Sequence, residues 1–129
     1  MNLPKNKIDA ISNLGLAHLG DGVYELMCRS WLCARGDLTV HRLHKDAVEL
    51  VKATTQAKLV EVILPVLTEE EQDILRRGRN AGGISAPKHS TVAQYRIATG
   101  LECLFGYLHL LGRSERIDEI FEVIWSIGE

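Results

Sequence analysis

Two long segments of this chain, residues 13–34 and 92–111, are apolar on almost every side when they are wound as α-helices. On the first segment, only a narrow stripe is polar, and one apolar face carries Leu16, Leu19, Val23 and Met27. A helix with so little polar surface has to be enclosed by other elements of the fold. The pattern therefore predicts two central helices, the first with Asn13 as its N-cap, covered by further helices.

Four shorter helices are predicted to supply this cover, over residues 40–53, 55–64, 68–79 and 114–127. Thr68 and Glu71 have the spacing of a capping box at the start of the third of these, and Gly112 ends the second central helix. No segment shows the sustained alternation that is typical of strands. The sequence predicts an all-α fold, a helical bundle of about six helices.

The composition indicates one domain over residues 1–129, because 46% hydrophobic residues in 129 are enough for a single core. The first residues, MNLPKNKIDA, contain no apolar signal region, and no apolar stretch is long enough to span a bilayer. We therefore expect a cytoplasmic protein without a membrane partner. Three cysteines (Cys28, Cys33 and Cys103) favour reduced core thiols over a disulfide framework.

Asp21 lies between two glycines in the stretch LGDGVYE, in the middle of the first central helix. Each glycine costs a helix interior about 1 kcal/mol relative to alanine, so this stretch needs a reason beyond helix formation. Gly20 and Gly22 would let another backbone, or a ligand, approach the aspartate closely. Asp21 is therefore a candidate functional residue.

Glu102 is the only acid of the second central helix. If the two central helices pack together, Glu102 and Asp21 can share a pocket with little to neutralise them. Carboxylate oxygens of this kind are ligands for Mg²⁺, which in turn promotes attack on a phosphoryl group. The same residues also fit a structural interpretation, in which Asp21 pairs with Arg29 or Arg96 and Glu102 is a hydrogen-bonded core acid.

A basic segment precedes Glu102. The formal net charge of the chain is only −2, yet residues 76–101 contain no acid and five cations: Arg76, Arg77, Arg79, Lys88 and Arg96. Such a segment on an otherwise acidic protein predicts a polyanionic partner. The loop RRGRNAGGISAPKHS has glycines and no aromatic residue, which favours the backbone of double-stranded RNA over single-strand stacking.

Two other features of the charge pattern leave alternatives open. The three arginines also fit a cationic helix C-terminus that is favoured by the helix dipole and followed by a solvated loop. Four side chains of the helix predicted over residues 40–53 can extend the basic patch or form an ordinary exposed face: His41, Arg42, His44 and Lys45.

Four collinear stretches resemble mini-ribonuclease III, the compact bacterial branch of the ribonuclease III endonucleases. They are LAHLGDGVYE (16–25), HRLHKDAVELVKATTQA (41–57), LTEEEQDILRRGRNA (67–81) and YRIATGLECLFGYLHL (95–110). The resemblance implies a bundle like the ribonuclease III endonuclease domain. It also implies a Mg²⁺-dependent endoribonuclease that cuts double-stranded RNA, usually precursor 23S ribosomal RNA, to 5′-phosphate and 3′-hydroxyl ends.

The resemblance assigns roles to individual residues. Asp21 matches the catalytic aspartate of the family and Glu102 its metal-binding glutamate. The expected RNA-binding residues are Arg76, Arg77, Arg79, Asn80 and Lys88. The family also implies a homodimer whose two sites each cut one strand, and apolar surface on the two central helices is the expected interface.

This chain departs from the larger ribonuclease III enzymes in lacking their further acids, which correspond to Leu14, Ala17 and Thr99. Fewer acids should weaken metal binding. Gly22 stands where the mini branch usually has alanine, and Gly82 where it often has lysine. The larger enzymes also carry a double-stranded-RNA-binding domain, for which 129 residues leave no room, so the catalytic domain is expected to grip RNA itself.

Two functions of other classes fit the same pattern. One is a non-catalytic helical module for RNA binding or assembly that retains the fold and the basic loop. The other is a helical oligomerisation protein whose cations are incidental. Cleavage of duplex RNA separates the enzyme from both, and salt-dependent RNA affinity separates the first module from the second.

Overall fold

The computed structural model describes residues 1–36, 39–81 and 89–127. Within these ranges the protein is all-α, as predicted, and contains no strand. Its helices are α1 (Lys5–Asp9), α2 (Asn13–Ala34), α3 (Val40–Val51), α4 (Ala53–Ile63), α5 (Glu69–Ala81), α6 (Val92–Leu110) and α7 (Ser114–Ser126), with a 3₁₀ turn at Leu64–Val66. The two central helices of the sequence analysis are α2 and α6.

The short helix α1 was not predicted from the sequence. Five residues are too few to form a stable helix by themselves, so no helical periodicity marks them. Tertiary contacts hold the segment in place: Ile8 is buried, and the Leu3 N–H donates to the Leu110 carbonyl at 2.8 Å. The helix therefore exists because it docks against the end of α6.

Side-chain caps account for most helix starts. The predicted capping box of α5 is confirmed, since the Thr68 N–H donates to Glu71 Oε1 at 2.9 Å and the Glu71 N–H donates to Thr68 Oγ1 at 3.1 Å. A second capping box, formed by Thr91 and Gln94, begins α6. The predicted N-cap of α2 is wrong by one residue, because the Ser12 hydroxyl, rather than Asn13, accepts from the Gly15 N–H.

Several helix ends differ from the prediction by one to three residues. Lys52 is extended (φ −62°, ψ 141°) and separates α3 from α4, so the break comes before Ala53 rather than after it. Helix α5 continues to Ala81, beyond the predicted end near Arg79. The predicted stop at Gly112 is confirmed, because this residue has a positive φ of 75° and directly follows Leu111, the C-cap of α6.

Helix α6 is the centre of the molecule, and α2 crosses it at two glycines. A Cβ on Gly20 would lie 1.5 Å from the Glu102 carbonyl oxygen, and a Cβ on Gly106 would lie 2.1 Å from the Leu16 carbonyl oxygen. The two backbones therefore touch, which confirms the close approach predicted at Gly20. A Cβ on Gly22 would meet nothing within 4 Å, so no other backbone approaches at this second glycine and the space beside it is open.

This contact decides which face of α2 points inward. Tyr24 and Cys28 are buried on the Gly20 side, and Tyr24 packs against Phe105 and Phe121 with ring centroids 5.9 and 5.8 Å away. Leu19, Val23 and Met27 are only partly buried. Of the three cysteines, all free, Cys28 and Cys103 are buried, whereas Cys33 is exposed because it lies at the solvent side near the end of α2.

Candidate active site

The crossing of α2 and α6 brings two carboxyl groups together. Asp21 follows Gly20 directly and is exposed, whereas Glu102 lies one turn before Gly106 and is partly buried. The two side chains are within hydrogen-bonding reach of each other. Two acids that are far apart in the sequence are thus neighbours in the structure. Because Asp21 is exposed, solvent reaches the pair from its side.

The surroundings of the pair disfavour a negative charge on Glu102. Burial, and then the neighbouring Asp21 carboxyl, raise the pKa of Glu102 to about 8, while a hydrogen bond from Gln56 lowers it in part. The ion pairs among the described side chains include neither Asp21 nor Glu102. Arg29 pairs with Glu25 at 3.1 Å, so an Asp21–Arg29 pair is not what the structure contains.

The oxygen atoms at this point fit a hard cation. Residues 1–36, 39–81 and 89–127 contain no cluster of three or more His, Cys, Asp or Glu that could hold a metal. Among these residues, therefore, no third acid, histidine or cysteine joins Asp21 and Glu102. Near Glu102, the Oε1 atom of Gln56 is buried and has no hydrogen-bond partner among the described residues. Two carboxylates and a free amide oxygen are the donors that Mg²⁺ prefers, with water completing its shell.

None of the three positions that carry further acids in larger ribonuclease III enzymes contributes here. Leu14 is exposed and Ala17 is buried. Thr99 is buried, and its hydroxyl donates to the Tyr95 carbonyl at 3.0 Å. The site therefore depends on the acid pair and on neutral groups around it.

Gln56 is the residue that sequence reasoning missed. It belongs to α4, where it shares the buried face with Val60 and Ile63. Its Nε2 donates to the Val51 carbonyl at 3.0 Å, and its amide lies within hydrogen-bonding reach of Glu102, where it lowers the pKa of that carboxyl. The signal that could have found it is a polar residue at a core position of an amphipathic helix, which requires a partner in the interior.

The last turns of α5 pack on α6 beside Glu102. A Cβ on Gly78 would lie 2.5 Å from Cys103 Cβ, and a Cβ on Gly100 would lie 2.5 Å from the Leu75 carbonyl oxygen. This contact fixes the turn that carries the predicted RNA-binding residues next to the turn that carries Glu102.

Four of these predicted residues are exposed on α5. Arg76 pairs with Asp73 at 3.3 Å, and Arg79 Nε donates to Asn80 Oδ1 at 3.4 Å. Arg77 Nη2 donates to Asn13 Oδ1 of α2 at 3.5 Å. Lys88, like Gly82, lies outside the described residues. The side chains of His41, Arg42, His44 and Lys45 are exposed on α3, as a solvated face or an extended patch would be.

The fold is that of a ribonuclease III endonuclease domain, since the Ribonuclease III domain family matches residues 14–113. A crystal structure of a protein from Fusobacterium nucleatum superposes with a TM-score of 0.79 at 33% identity, covering 88% of this chain and 92% of that one. No helix among the described residues has the length and apolarity needed to cross a membrane.

Curated relatives narrow the class further. The chain is 48% identical over 109 residues to the mini-ribonuclease 3 of Symbiobacterium thermophilum, with 84% of each chain covered. It is 46% identical over 127 residues to that of a Thermoanaerobacter species, covering 98% of this chain and 89% of the relative. The protein belongs to the mini-ribonuclease III family and is an endoribonuclease.

Proposed function

We propose that residues 1–129 form one catalytic domain that hydrolyses double-stranded RNA with Mg²⁺, leaves 5′-phosphate and 3′-hydroxyl ends, and matures precursor 23S ribosomal RNA. The observation that carries the proposal is the meeting of Asp21 and Glu102 at the α2–α6 crossing, beside the arginines of α5. Acids that can hold a cation and cations that can hold phosphate then share one surface.

In this proposal Asp21 and Glu102 hold the metal. When bound, Mg²⁺ supplies an activated water and stabilises the charge that develops on the phosphate. Asp21, being exposed, is the side that the substrate reaches, and the partly buried Glu102 anchors the site from within. The close backbone contact of α2 and α6 holds together the two helix turns that carry the carboxyls, which favours catalysis because it limits the reorganisation needed.

The RNA backbone is bound by Arg76, Arg77, Arg79, Asn80 and Lys88 in this proposal. Exposed arginines in one turn of α5 contact phosphates without reading bases, so affinity depends on duplex shape and on salt. The proposed substrate, a ribosomal RNA precursor, also implies action in the cytoplasm.

A homodimer is part of the proposal, because two symmetry-related sites can cut the two strands of a duplex. Helix α2 offers exposed apolar side chains for an interface, with Leu14 51% and Leu26 65% exposed. Helix α6 offers less than the sequence led us to expect, since it is covered by its neighbours from Ala98 to Leu108 apart from Glu102.

A cleavage assay tests the proposal directly. A long RNA duplex and a stem from precursor 23S RNA are incubated with the protein in Mg²⁺ or in excess chelator, and the ends of the products are mapped. We expect cleavage of both strands only in Mg²⁺, with 5′-phosphate and 3′-hydroxyl ends. Binding of the duplex without cleavage under any divalent metal would instead support a non-catalytic RNA-binding module.

The pH dependence of metal binding follows from Glu102. Its carboxyl has a pKa of about 8 in the metal-free protein and holds a proton below that pH, so binding of Mg²⁺ must displace this proton. We expect the apparent Mg²⁺ affinity to rise by up to about tenfold per pH unit towards pH 8 and then to level off. Calorimetric titrations with Mg²⁺ between pH 6 and pH 9 measure this, and an affinity that does not change over that range would contradict it.

Removal of an arginine from α5 should weaken RNA binding without changing the fold. For Arg77→Ala and Arg79→Ala, we expect the slope of log affinity against log salt to decrease by about one for each phosphate that the variant no longer binds. Fluorescence anisotropy with a labelled duplex at several salt concentrations measures the slope. Arg113→Ala is the matched control, because Arg113 pairs with Glu70 at the opposite end of α5, and an equal loss for this variant would rule out the assignment.

A further inference from the structure

We propose that Gln56 is a third oxygen donor of the metal site, which positions Glu102 through its Nε2 and offers its Oε1 to the shell of the bound divalent ion. The inference rests on the proposed function, because it assumes that Asp21 and Glu102 hold a metal. It adds a residue from α4 to a site that otherwise draws only on α2 and α6.

The hydrogen bonds of the amide fix its orientation. Nε2 donates to the Val51 carbonyl at 3.0 Å, and a carbonyl oxygen can only accept, so the nitrogen has to stand on that side. The same amide lies within hydrogen-bonding reach of Glu102. The oxygen is bound to the same carbon as Nε2, so it too lies near Glu102.

The oxygen itself has nothing to bind within the described protein. Gln56 is 3% exposed, and its Oε1 has no hydrogen-bond partner. A buried acceptor without a partner costs free energy and is rare in folded proteins, so a core position normally excludes it unless a bound group uses it. A divalent ion with its water, held by the neighbouring carboxylates, provides such a group.

The chemistry of the site gives this oxygen a role. Only two acids meet here among the described residues, and Mg²⁺ requires six oxygen ligands, most of which must be water. A neutral amide oxygen adds a ligand, or a fixed acceptor for one of the bound waters, without adding a third like charge to the pair. The side chain is therefore suited to a site in which Leu14, Ala17 and Thr99 supply no acid.

Metal binding in the absence of RNA tests the proposal independently of activity. Mn²⁺, as a paramagnetic substitute for Mg²⁺, is titrated into the full chain and the free ion is measured by electron paramagnetic resonance. For Gln56→Met, which keeps the size but has no amide, we expect the affinity to fall by about 10- to 100-fold. Gln56→Glu, which retains an oxygen and adds a charge, should bind Mn²⁺ at least tenfold more tightly than Gln56→Met at pH 8.5.

A matched control removes a similar amide elsewhere. Gln72 also donates its Nε2 to carbonyl oxygens, those of Leu64 and Leu67, away from the acid pair. We expect Gln72→Met to bind Mn²⁺ like the unchanged protein, and circular dichroism checks the fold of every variant. If Gln56→Met does not fold, Gln56→Glu is compared with the unchanged chain instead. At pH 8.5 we then expect the Mn²⁺ affinity of Gln56→Glu to be within a few-fold of that of the unchanged chain, or higher.

The outcomes separate this inference from the proposed function. If Asp21→Asn loses Mn²⁺ binding while a folded Gln56→Met retains it, the role of Gln56 is wrong and the metal site stands. The role is also wrong if Gln56→Glu binds as weakly as Gln56→Met, or if Gln72→Met shows the same loss. If the unchanged chain binds no Mn²⁺, or binds it equally well with Asp21→Asn, the proposed function fails together with this inference.

Discussion

Replacing Asp21 by asparagine is expected to reduce the cleavage of double-stranded RNA by about 10³-fold or more. Asparagine has nearly the same shape, so the exchange removes one negative charge from the acid pair and leaves the helix packing as it is. A metal-held transition state that loses several kcal/mol of stabilisation slows by this order. Because Asp21 is exposed and takes part in none of the described ion pairs, stability should change by less than about 1 kcal/mol.

Single-turnover cleavage of a long duplex in Mg²⁺ measures the effect, and anisotropy with the same duplex measures binding. We expect binding to persist while cleavage is lost. Glu25→Gln is the control, since Glu25 lies one turn further along α2 and pairs with Arg29 at the surface. Its effect should stay below about fivefold, because a surface ion pair contributes little. An unchanged cleavage rate for Asp21→Asn would exclude the proposed mechanism.

Replacing Gly20 by alanine is expected to lower the free energy of unfolding by about 3 kcal/mol or more. The added Cβ would lie 1.5 Å from the Glu102 carbonyl oxygen and 2.8 Å from the Gly106 nitrogen. Both are backbone atoms of α6, which cannot rotate away as a side chain can, so the two helices would have to separate. The same movement would part Asp21 from Glu102, so cleavage should be lost with stability.

Gly22→Ala is the matched control for this substitution. It introduces the same methyl group two residues away on the same helix, where nothing lies within 4 Å. Here we expect no loss, and a gain of up to about 1 kcal/mol from better helix propensity. Urea denaturation compares the two variants. If both change the free energy of unfolding equally, the helix crossing does not depend on Gly20.

The candidate site could be predicted from the sequence because its residues are isolated exceptions to the pattern around them. Asp21 and Glu102 are single acids on otherwise apolar helices, and three arginines in four positions end α5. Such exceptions to a helical pattern can be recognised from the sequence without coordinates. Gln56 could not be identified in the same way, because an amide at a core position has no distinguishing feature in the sequence until its neighbours in the fold are known.

Some features of the fold could not be predicted because tertiary contacts determine them. Helix α1 is too short to have a periodic pattern and is held by its contact with the end of α6. The break falls at Lys52, whose backbone is extended, and alanine at position 53, a good helix former, gives no sign of it. The exposure of Cys33 likewise depends on which face of α2 turns inward.

By itself, the sequence determined that the protein is a bundle of helices around two apolar ones, since a period of 3.6 residues and a nearly complete apolar surface permit little else. It also singled out the candidate acids, Asp21 and Glu102, and the arginines of α5 as exceptions to the helical pattern. Only the tertiary structure decided that α2 meets α6 along Gly20 and Gly106 rather than along the Leu19–Val23–Met27 face. The reason is steric: apolar side chains permit many faces to pack, but only glycines let two backbones touch, and that contact places Asp21, Glu102 and Gln56 together.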